Sequence, residues 1–323
     1  LEVHLKDLKP MPEVEAEVDR CIECGFFEPK CPSRDLTLTP RQRIVLRREI
    51  ARAEPALKGE LLRDWAYDGE ETCAADGLCA TACPVGIDTG LLIKRLRAER
   101  HGASKAVAGF VSRHMGWLEV IGPSLPKTSR EGASFVYFPS CVTRTIGDAA
   151  LPKALVELGK RAGVPVWIPS SRGLCCGMPF SSKGYPEAAQ ECRERLGAKI
   201  KEWNLPVVTD TSPCAYSLKA EGLKVLDPIE FAHDVLLPGL KVSKVEERAV
   251  LHPVCSAVKM GLEGKMAAVA RACASESIVP PSAGCCAFAG DKGWWTPELT
   301  ASATRVEASE VKAFGGTGFY ASS

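Results

Sequence analysis

The stretch Cys73-Ala74-Ala75-Asp76-Gly77-Leu78-Cys79-Ala80-Thr81-Ala82-Cys83-Pro84 decides how the rest of the chain is read. Its three cysteines follow the pattern C-x5-C-x3-C-P. Thiolate sulfur is the ligand that iron–sulfur clusters select, and a frequent bacterial ligand run is C-x2-C-x2-C-x3-C-P. Aligned with that run, Asp76 occupies the second ligand position. As a ligand it would supply an oxygen. As a turn residue it would pair with Gly77, a common turn dipeptide. Both readings stay open on sequence alone.

A second run lies upstream, Cys21-Ile22-Glu23-Cys24-Gly25-Phe26-Phe27-Glu28-Pro29-Lys30-Cys31-Pro32. Here Phe27 stands at the third ligand position, and a phenyl ring cannot bind iron. In two-cluster ferredoxins the fourth cysteine of each run serves the other cluster. That wiring groups Cys21, Cys24 and Cys83 at one centre, and Cys31, Cys73 and Cys79 with Asp76 at the other. Three thiolates suit a [3Fe–4S] centre; an added oxygen ligand from Asp76, or from Glu28 or water beside Phe27, suits [4Fe–4S].

The segments around the two runs carry helical signals and no strand pattern. Thr39 is placed to cap a helix that Pro40 opens, with Ile44, Leu46 and Ile50 as its apolar positions. Further helices are expected over 55–65 and 91–101. Residues 1–104 therefore read as an α-helical two-cluster domain.

The 323 residues, 46% hydrophobic with a net charge of +1, are enough for two or three domains. The charge gives no field that points to nucleic acid. Fifteen cysteines clustered beside Gly and Pro favour metal binding in a reducing compartment, the cytoplasm, over a disulfide scaffold. No apolar run reaches the length of a spanning helix, and no signal peptide is visible. The start at Leu1 and the end at Ser323 read as cuts from a longer protein.

Residues 105–132 have the composition of a linker. Arg95, Arg97, Arg100, His101 and Lys105 lead into Ala108–Ile121, which carries Phe110, Met115 and Trp117. Such a segment can dock peripherally on the inner face of a membrane. Burial against a core is preferred, because most amphipathic stretches face one.

From Ser134 strands alternate with helices, which predicts parallel sheets. Strands are expected at 135–138, 164–168, 206–210 and 225–226, and helices at 149–162, 186–203 and 228–237. The pattern restarts at Ala249, with strands at 249–253, 277–279 and 317–320 and helices at 264–273 and 300–314. The result is a duplicated α/β domain with parallel sheets: a first unit over 133–247 and a second, truncated unit over 248–323.

The cysteines of these units fall where strands end, the ligand-binding edge of open α/β sheets. Cys141, Cys175, Cys176 and Cys214 can meet in the first unit; Cys255, Cys285 and Cys286 can meet in the second. Cys192 and Cys273, each alone on a helix, read as free buried thiols, which are common in cores. His233 and His252 read as structural, and no catalytic base is assignable. Zinc sites favour paired C-x2-C knuckles or Cys–His sets, which fit this spacing poorly.

Three segments carry a resemblance: Cys21–Gly25, Pro32–Arg43 and Gly77–Ile87. With Cys175-Cys176-Gly177, Cys285–Asp291 and Pro297–Thr304, they make the chain similar to the iron–sulfur half of FAD-linked D-2-hydroxyacid dehydrogenases of the cytochrome-linked D-lactate type. The later part also resembles cysteine-rich CCG domains, as in heterodisulfide reductase and the cluster-bearing subunit of anaerobic glycerol-3-phosphate dehydrogenase. The helical part resembles the succinate dehydrogenase iron–sulfur subunit, in which the cluster beside a non-cysteine second position is [3Fe–4S]. This resemblance implies iron–sulfur clusters here and FAD on a preceding domain. It implies electron flow from that flavin domain or a flavoprotein subunit towards a quinone or cytochrome. Phe27 and Thr211 depart from the family pattern, which has Cys at both positions, and the second unit reads Cys-Cys-Ala287. A separate redox subunit and a non-enzymatic metal-stabilised scaffold are the alternative readings.

Overall fold

The computed structural model describes residues 14–117, 119–120 and 122–323. It is mostly helical, with two small parallel sheets. Its contacts divide the chain into two compact units, one running through Ile93 and including Cys285–Ala303, the other formed by Lys94–Gly284 and Thr304–Ser323.

The first unit contains α1 (Ala16–Asp19), α2 (Pro40–Arg52), α3 (Pro55–Trp65), α4 (Leu78–Ala82) and the start of α5 (Thr89–Arg100). The expected cap of α2 is present and reciprocal. Gln42 N–H donates to Thr39 Oγ1 at 3.3 Å, and Thr39 N–H donates to Gln42 Oε1 at 2.8 Å. This arrangement satisfies two orphan amides at once. Helix α5 starts two residues before the expected Leu91, because Asp88 Oδ1 accepts the Gly90 and Leu91 amides at 2.8 and 3.2 Å. Trp65, 1% exposed, anchors this core with Phe27, Ile44, Ile87, Leu92 and Ile93. A side chain of that size contributes about 1.5–3 kcal/mol when fully buried. Gly69 is needed beside it, because a Cβ there would meet the indole at 2.4 Å.

The second unit opens with α6 (Ser104–Arg113), followed by β1 (Phe135–Phe138), α7 (Cys141–Thr145), α8 (Ala150–Arg161), β2 (Val166–Trp167) and α9 (Met178–Lys183). Then come α10 (Pro186–Trp203), β3 (Val207–Thr209), α11 (Ser212–Ala220), β4 (Val225–Leu226) and α12 (Pro228–Glu230). A wide helical turn over Phe231–Leu236 leads into α13 (Leu237–Gly239). After β5 (Glu246–His252), α14 (Cys255–Lys259), α15 (Glu263–Cys273) and β6 (Ala274–Ile278), the short α16 (Lys292–Trp295) belongs to the first unit. The chain closes with α17 (Pro297–Phe314) and β7 (Gly318–Ala321).

Strand order in the larger sheet is β2-β1-β3-β4, all parallel. The smaller sheet runs β6-β5-β7, also parallel, repeating the order of the first three strands. In β1 the pleat splits the side chains, as period two requires. Val136 and Phe138 pack with Leu196, Trp203 and Leu218 on one face, while Tyr137 packs with Leu155, Val156 and Phe231 on the other. Both faces are covered, which is the usual condition of a parallel sheet.

Three expectations are modified. The stretch 105–132, read as a linker, includes α6, whose Ala108 packs with Met115 and Ala189 of α10 in one buried cluster. Val107, Phe110 and Trp117 of the same stretch are exposed; Leu118 and Ile121 lie outside the described residues. Strand β6 begins at Ala274, three residues before the expected Ser277, because Glu246 of β5 pairs with it there. Cys285 and Cys286, read as part of the second α/β unit, belong by their contacts to the first compact unit.

The buried Tyr137 hydroxyl donates to Asp210 Oδ2 at 2.8 Å, and Asp210 Oδ1 accepts the Ser140 amide at 2.8 Å. Burial, reinforced by the carboxylate, holds that phenol protonated far above its usual range. Tyr137→Phe leaves Asp210 short of a donor and is expected to lower stability by about 1–3 kcal/mol, measured by urea unfolding.

Candidate metal centres

The end of the first ligand run and the start of the second meet around a cavity lined by Cys31, Cys73, Asp76, Cys79, Arg43 and Thr89. The loop after Cys73 is held open for its sulfur. Ala75 takes a left-handed φ of 51°, and its N–H donates to Cys73 Sγ at 3.4 Å. Asp76 Oδ1 accepts the Leu78 amide at 2.8 Å, so the turn role is real. The same side chain also lines the cavity, so the ligand role stays compatible with it.

Each sulfur here has a polar neighbour. Cys31 Sγ lies 3.1 Å from Ser33 Oγ, and Arg43 Nη1 donates to it at 3.7 Å. Cys79 Sγ lies 3.3 Å from Thr89 Oγ1. Arg43 is 1% exposed. It also donates to Gly69 O at 2.7 Å, Ser33 Oγ at 3.0 Å and Thr72 Oγ1 at 3.2 Å. Sequence reading missed its role, because an arginine on an amphipathic helix ordinarily faces water. Burial pushes the Cys31 thiol up, against the pull of Arg43. Cys79 is pushed up to about 12, first by burial and then by Asp88.

At the other end, Cys83 lies close enough to Cys21 to oppose its ionisation. This is the cross-run pairing expected from ferredoxin-like wiring. Glu23 is left-handed at φ 59°, and its N–H donates to Cys21 Sγ at 3.4 Å. Arg48 Nη2 donates to Val18 O at 2.7 Å and to Cys21 O at 2.9 Å. Burial raises the Cys21 thiol. Cys24 is exposed. Phe27 is 1% exposed, so its ring serves the hydrophobic core. Glu28 is engaged: its Oε1 accepts from Arg41 Nε at 2.8 Å and from Thr39 Oγ1 at 2.9 Å. The Arg41 guanidinium holds that carboxyl below its usual range.

In the second unit, Cys141 follows β1, Cys175 and Cys176 follow β2, and Cys214 lies in α11 just after β3. In a sheet ordered β2-β1-β3 the connection direction reverses between β1 and β3, the point where open α/β sheets bind ligands. The four thiols do meet. Cys141 is raised first by a hydrogen bond with Cys175 and then by burial. Cys176 is raised well above its usual value by contacts with Cys175 and Cys214. Gly177, at φ 79°, donates its N–H to Cys175 Sγ at 3.4 Å. A Cβ at Gly177 would come within 2.4 Å of Ala189 O, so only glycine lets the loop approach α10. Arg144 anchors the site, donating to Pro139 O at 2.5 Å and to Glu119 Oε1 at 3.0 Å, and also to Leu174 O. Thr211 stands three residues before Cys214 as the N-cap residue of α11.

Cys192, read from sequence as an isolated core thiol, is fully buried but not isolated: it packs with Cys141 and Cys175. A hydrogen bond with Cys175 lowers it, with help from Arg195. Only the approach of α10 to the loop could have revealed this, and sequence spacing does not encode that approach. Cys273 stands at the end of α15, half-buried.

Cys255 opens α14 in the second unit. Cys285 is buried in the first unit beside half-buried Cys286. Ala287 repeats the loop geometry, with φ 61° and an N–H to Cys285 Sγ of 3.4 Å. His252 Nδ1 meets Glu307 Oε1 at 2.6 Å and His233 Nδ1 meets Asp234 Oδ1 at 2.7 Å, hydrogen bonds to neighbouring carboxylates.

Among the described residues no three His, Cys, Asp or Glu side chains gather as a single ion requires. The donor chemistry fits clusters: buried thiols, amide donors aimed at sulfur, and a glycine cradle.

Comparison with known proteins agrees. Residues 17–87 match the family model of the 4Fe-4S dicluster domain, and residues 135–219 match that of the cysteine-rich domain. The uncharacterized protein YkgE of Escherichia coli (strain K12) is 28% identical over 148 residues, covering 39% of this chain and 60% of the relative. The chain thus spans less than two thirds of that relative's length. No solved structure matches. The chain carries iron–sulfur domains of the electron-transfer kind. Among the described residues no helix is long and apolar enough to cross a membrane.

The raised thiols Cys31, Cys79 and Cys176 bind their protons more tightly in the folded, metal-free chain than in the unfolded one. Their contribution is complete below the ordinary value of 9.0 and, for Cys79, is lost as pH rises through about 12. Urea unfolding of the reduced, metal-free protein is therefore expected to show a lower midpoint at pH 10 than at pH 8. An unchanged or higher midpoint would contradict this.

Proposed function

We propose that this chain is the electron-transfer module of a flavin- and iron–sulfur-dependent D-2-hydroxyacid dehydrogenase of the D-lactate type. The observation that carries the reading is the cross-run pairing of thiols, Cys21 with Cys83 and Cys31 with Cys73 and Cys79. Oxidation of the hydroxyacid belongs to an FAD domain or flavoprotein subunit. Electrons leave for a quinone or cytochrome, with contact at the membrane surface through the exposed Phe110 and Trp117 stretch. Bound clusters supply one-electron storage between a two-electron donor and the acceptor.

The chain's own residues set the conditions for that transfer. Cys21, Cys24 and Cys83 hold one centre. Cys31, Cys73 and Cys79, with Asp76 beside them, hold the other. Cys141, Cys175, Cys176 and Cys214 hold a third in the cysteine-rich domain. Buried Arg43 and Arg48 place positive charge beside the first two centres and offset the charge an added electron brings. Amides at Glu23, Ala75 and Gly177 donate to sulfur, one of the means by which proteins tune potential.

A second reading is a separate iron–sulfur subunit of a glycerol-3-phosphate dehydrogenase or heterodisulfide-reductase-like complex. It is favoured by the pairing of a dicluster domain with a cysteine-rich domain in one chain. Co-purification with a separately encoded flavoprotein separates it from a fused flavin domain.

The test is iron and sulfide counting with low-temperature EPR, before and after dithionite. Cluster signals from the dicluster domain are expected, with an oxidised [3Fe–4S] signal if Asp76 does not ligate. A zinc-loaded, colourless chain overturns the reading. Arg43→Met is expected to lower the midpoint potential of the Cys31–Cys73–Cys79 centre in an EPR-monitored redox titration, because it removes a buried cation from beside Cys31.

A further inference from the structure

Five sulfurs, not four, converge in the cysteine-rich domain. Helix α10 presents Ala189, Cys192 and Leu196 on one buried face, each of them 0% exposed. The spacing of three and four residues is that of neighbours on a helix. Ala188 and Ala189 are small enough for the Gly177 loop to close against the helix backbone. That approach sets Cys192 in hydrogen-bonding contact with Cys175, in the same buried cluster as Cys141.

Two features separate Cys192 from an ordinary core thiol. It touches a cysteine of the ligand loop, whereas a packing thiol needs only apolar neighbours. It also has a cation of its own. Arg195 Nη2 donates to Cys192 Sγ at 3.6 Å and holds Ser112 O as well. Arg195 Nε is buried without a hydrogen-bond partner among the described residues. Glu191, one residue before Cys192 in sequence, meets Ser112 Oγ at 3.1 Å and Arg113 at 3.5 Å. A neutral thiol gives a half-buried guanidinium little reason to point at it; a bound thiolate does.

We propose that Cys192 is a fifth thiolate ligand of the iron–sulfur centre in the cysteine-rich domain, an inference that rests on reading that domain as a cluster site. Ligation breaks the Cys192 S–H bond and forms an iron–sulfur bond at an iron that otherwise carries a water ligand, releasing the proton and that water to solvent, as metal binding to thiols generally does. The sulfur stays at the thiolate level, so no external oxidant or reductant is needed. Arg195 is a positioning residue that balances the added negative charge.

The experiment compares the anaerobically reconstituted full chain with four variants: C175A/C176A, C192A, C192S and C273A. Iron and sulfide per chain, EPR and Mössbauer spectra are recorded, and circular dichroism confirms folding. C175A/C176A identifies the signal belonging to this domain, and C273A should match the wild type. The expected result is that C192A loses that signal, while C192S retains it with shifted g-values because oxygen replaces sulfur at one iron. The dicluster signals stay unchanged in both. If C192A and C192S keep wild-type iron, sulfide and spectra while C175A/C176A loses its centre, the fifth ligand is overturned and the cluster site stands. If C175A/C176A itself loses no iron, the cluster site falls and the ligand with it. Should C192A misfold, the spectrum of C192S alone decides between a shift and no shift.

Discussion

One backbone device recurs at four of the ligand loops. The residue two positions after a cysteine turns left-handed and gives its N–H to that cysteine's sulfur at 3.4 Å. Glu23 does so for Cys21, Ala75 for Cys73, Gly177 for Cys175 and Ala287 for Cys285. Three of these four are not glycine, and a left-handed residue with a side chain costs about 1–2 kcal/mol. Strain of this kind persists where the surroundings over-determine it, and it clusters at functional sites. The loops are shaped to solvate sulfur, and the helices around them are arranged to hold the loops.

Charge balance is the second constraint. Gathered thiolates carry negative charge into a buried space, which is costly unless it is paired. Helix α2 answers this in the first unit with two arginines five residues apart, Arg43 at Cys31 and Arg48 at Cys21. In the second unit Arg144 braces the loops on either side of Cys141 and Cys175, and Arg195 meets Cys192. A single short helix thus serves two ligand runs, which explains why its N-terminal cap is fully built. A shift of α2 by one residue would turn Arg43 away from the Cys31 sulfur and Arg48 away from the Cys21 carbonyl.

Much of this was legible before any coordinates. Caps and breakers are local, so α2, α3 and α10 begin where Thr39, Pro55 and Pro186 said they would. The alternation of buried strands with helices is also local, and it gave the parallel sheets. The edges of β2, β3 and β6 were less legible, because strand length depends on which neighbour pairs with it. Glu28 looked available as a ligand until Arg41 and Thr39 were found holding it.

The sequence by itself determined which atoms could do chemistry: cysteine spacing, a proline closing each run, and phenylalanine where a thiol would stand. It grouped the sulfurs of the two runs only by the cross-wiring of two-cluster ferredoxins, because contacts across the chain depend on packing rather than on spacing. Only the tertiary structure brought Cys21 to Cys83 and Cys31 to Cys73. Only it buried Arg43 instead of leaving it in water, and only it carried Cys192 on α10 to Cys175. The physical reason is the same in each case: a helix face acquires a meaning only when another element closes against it.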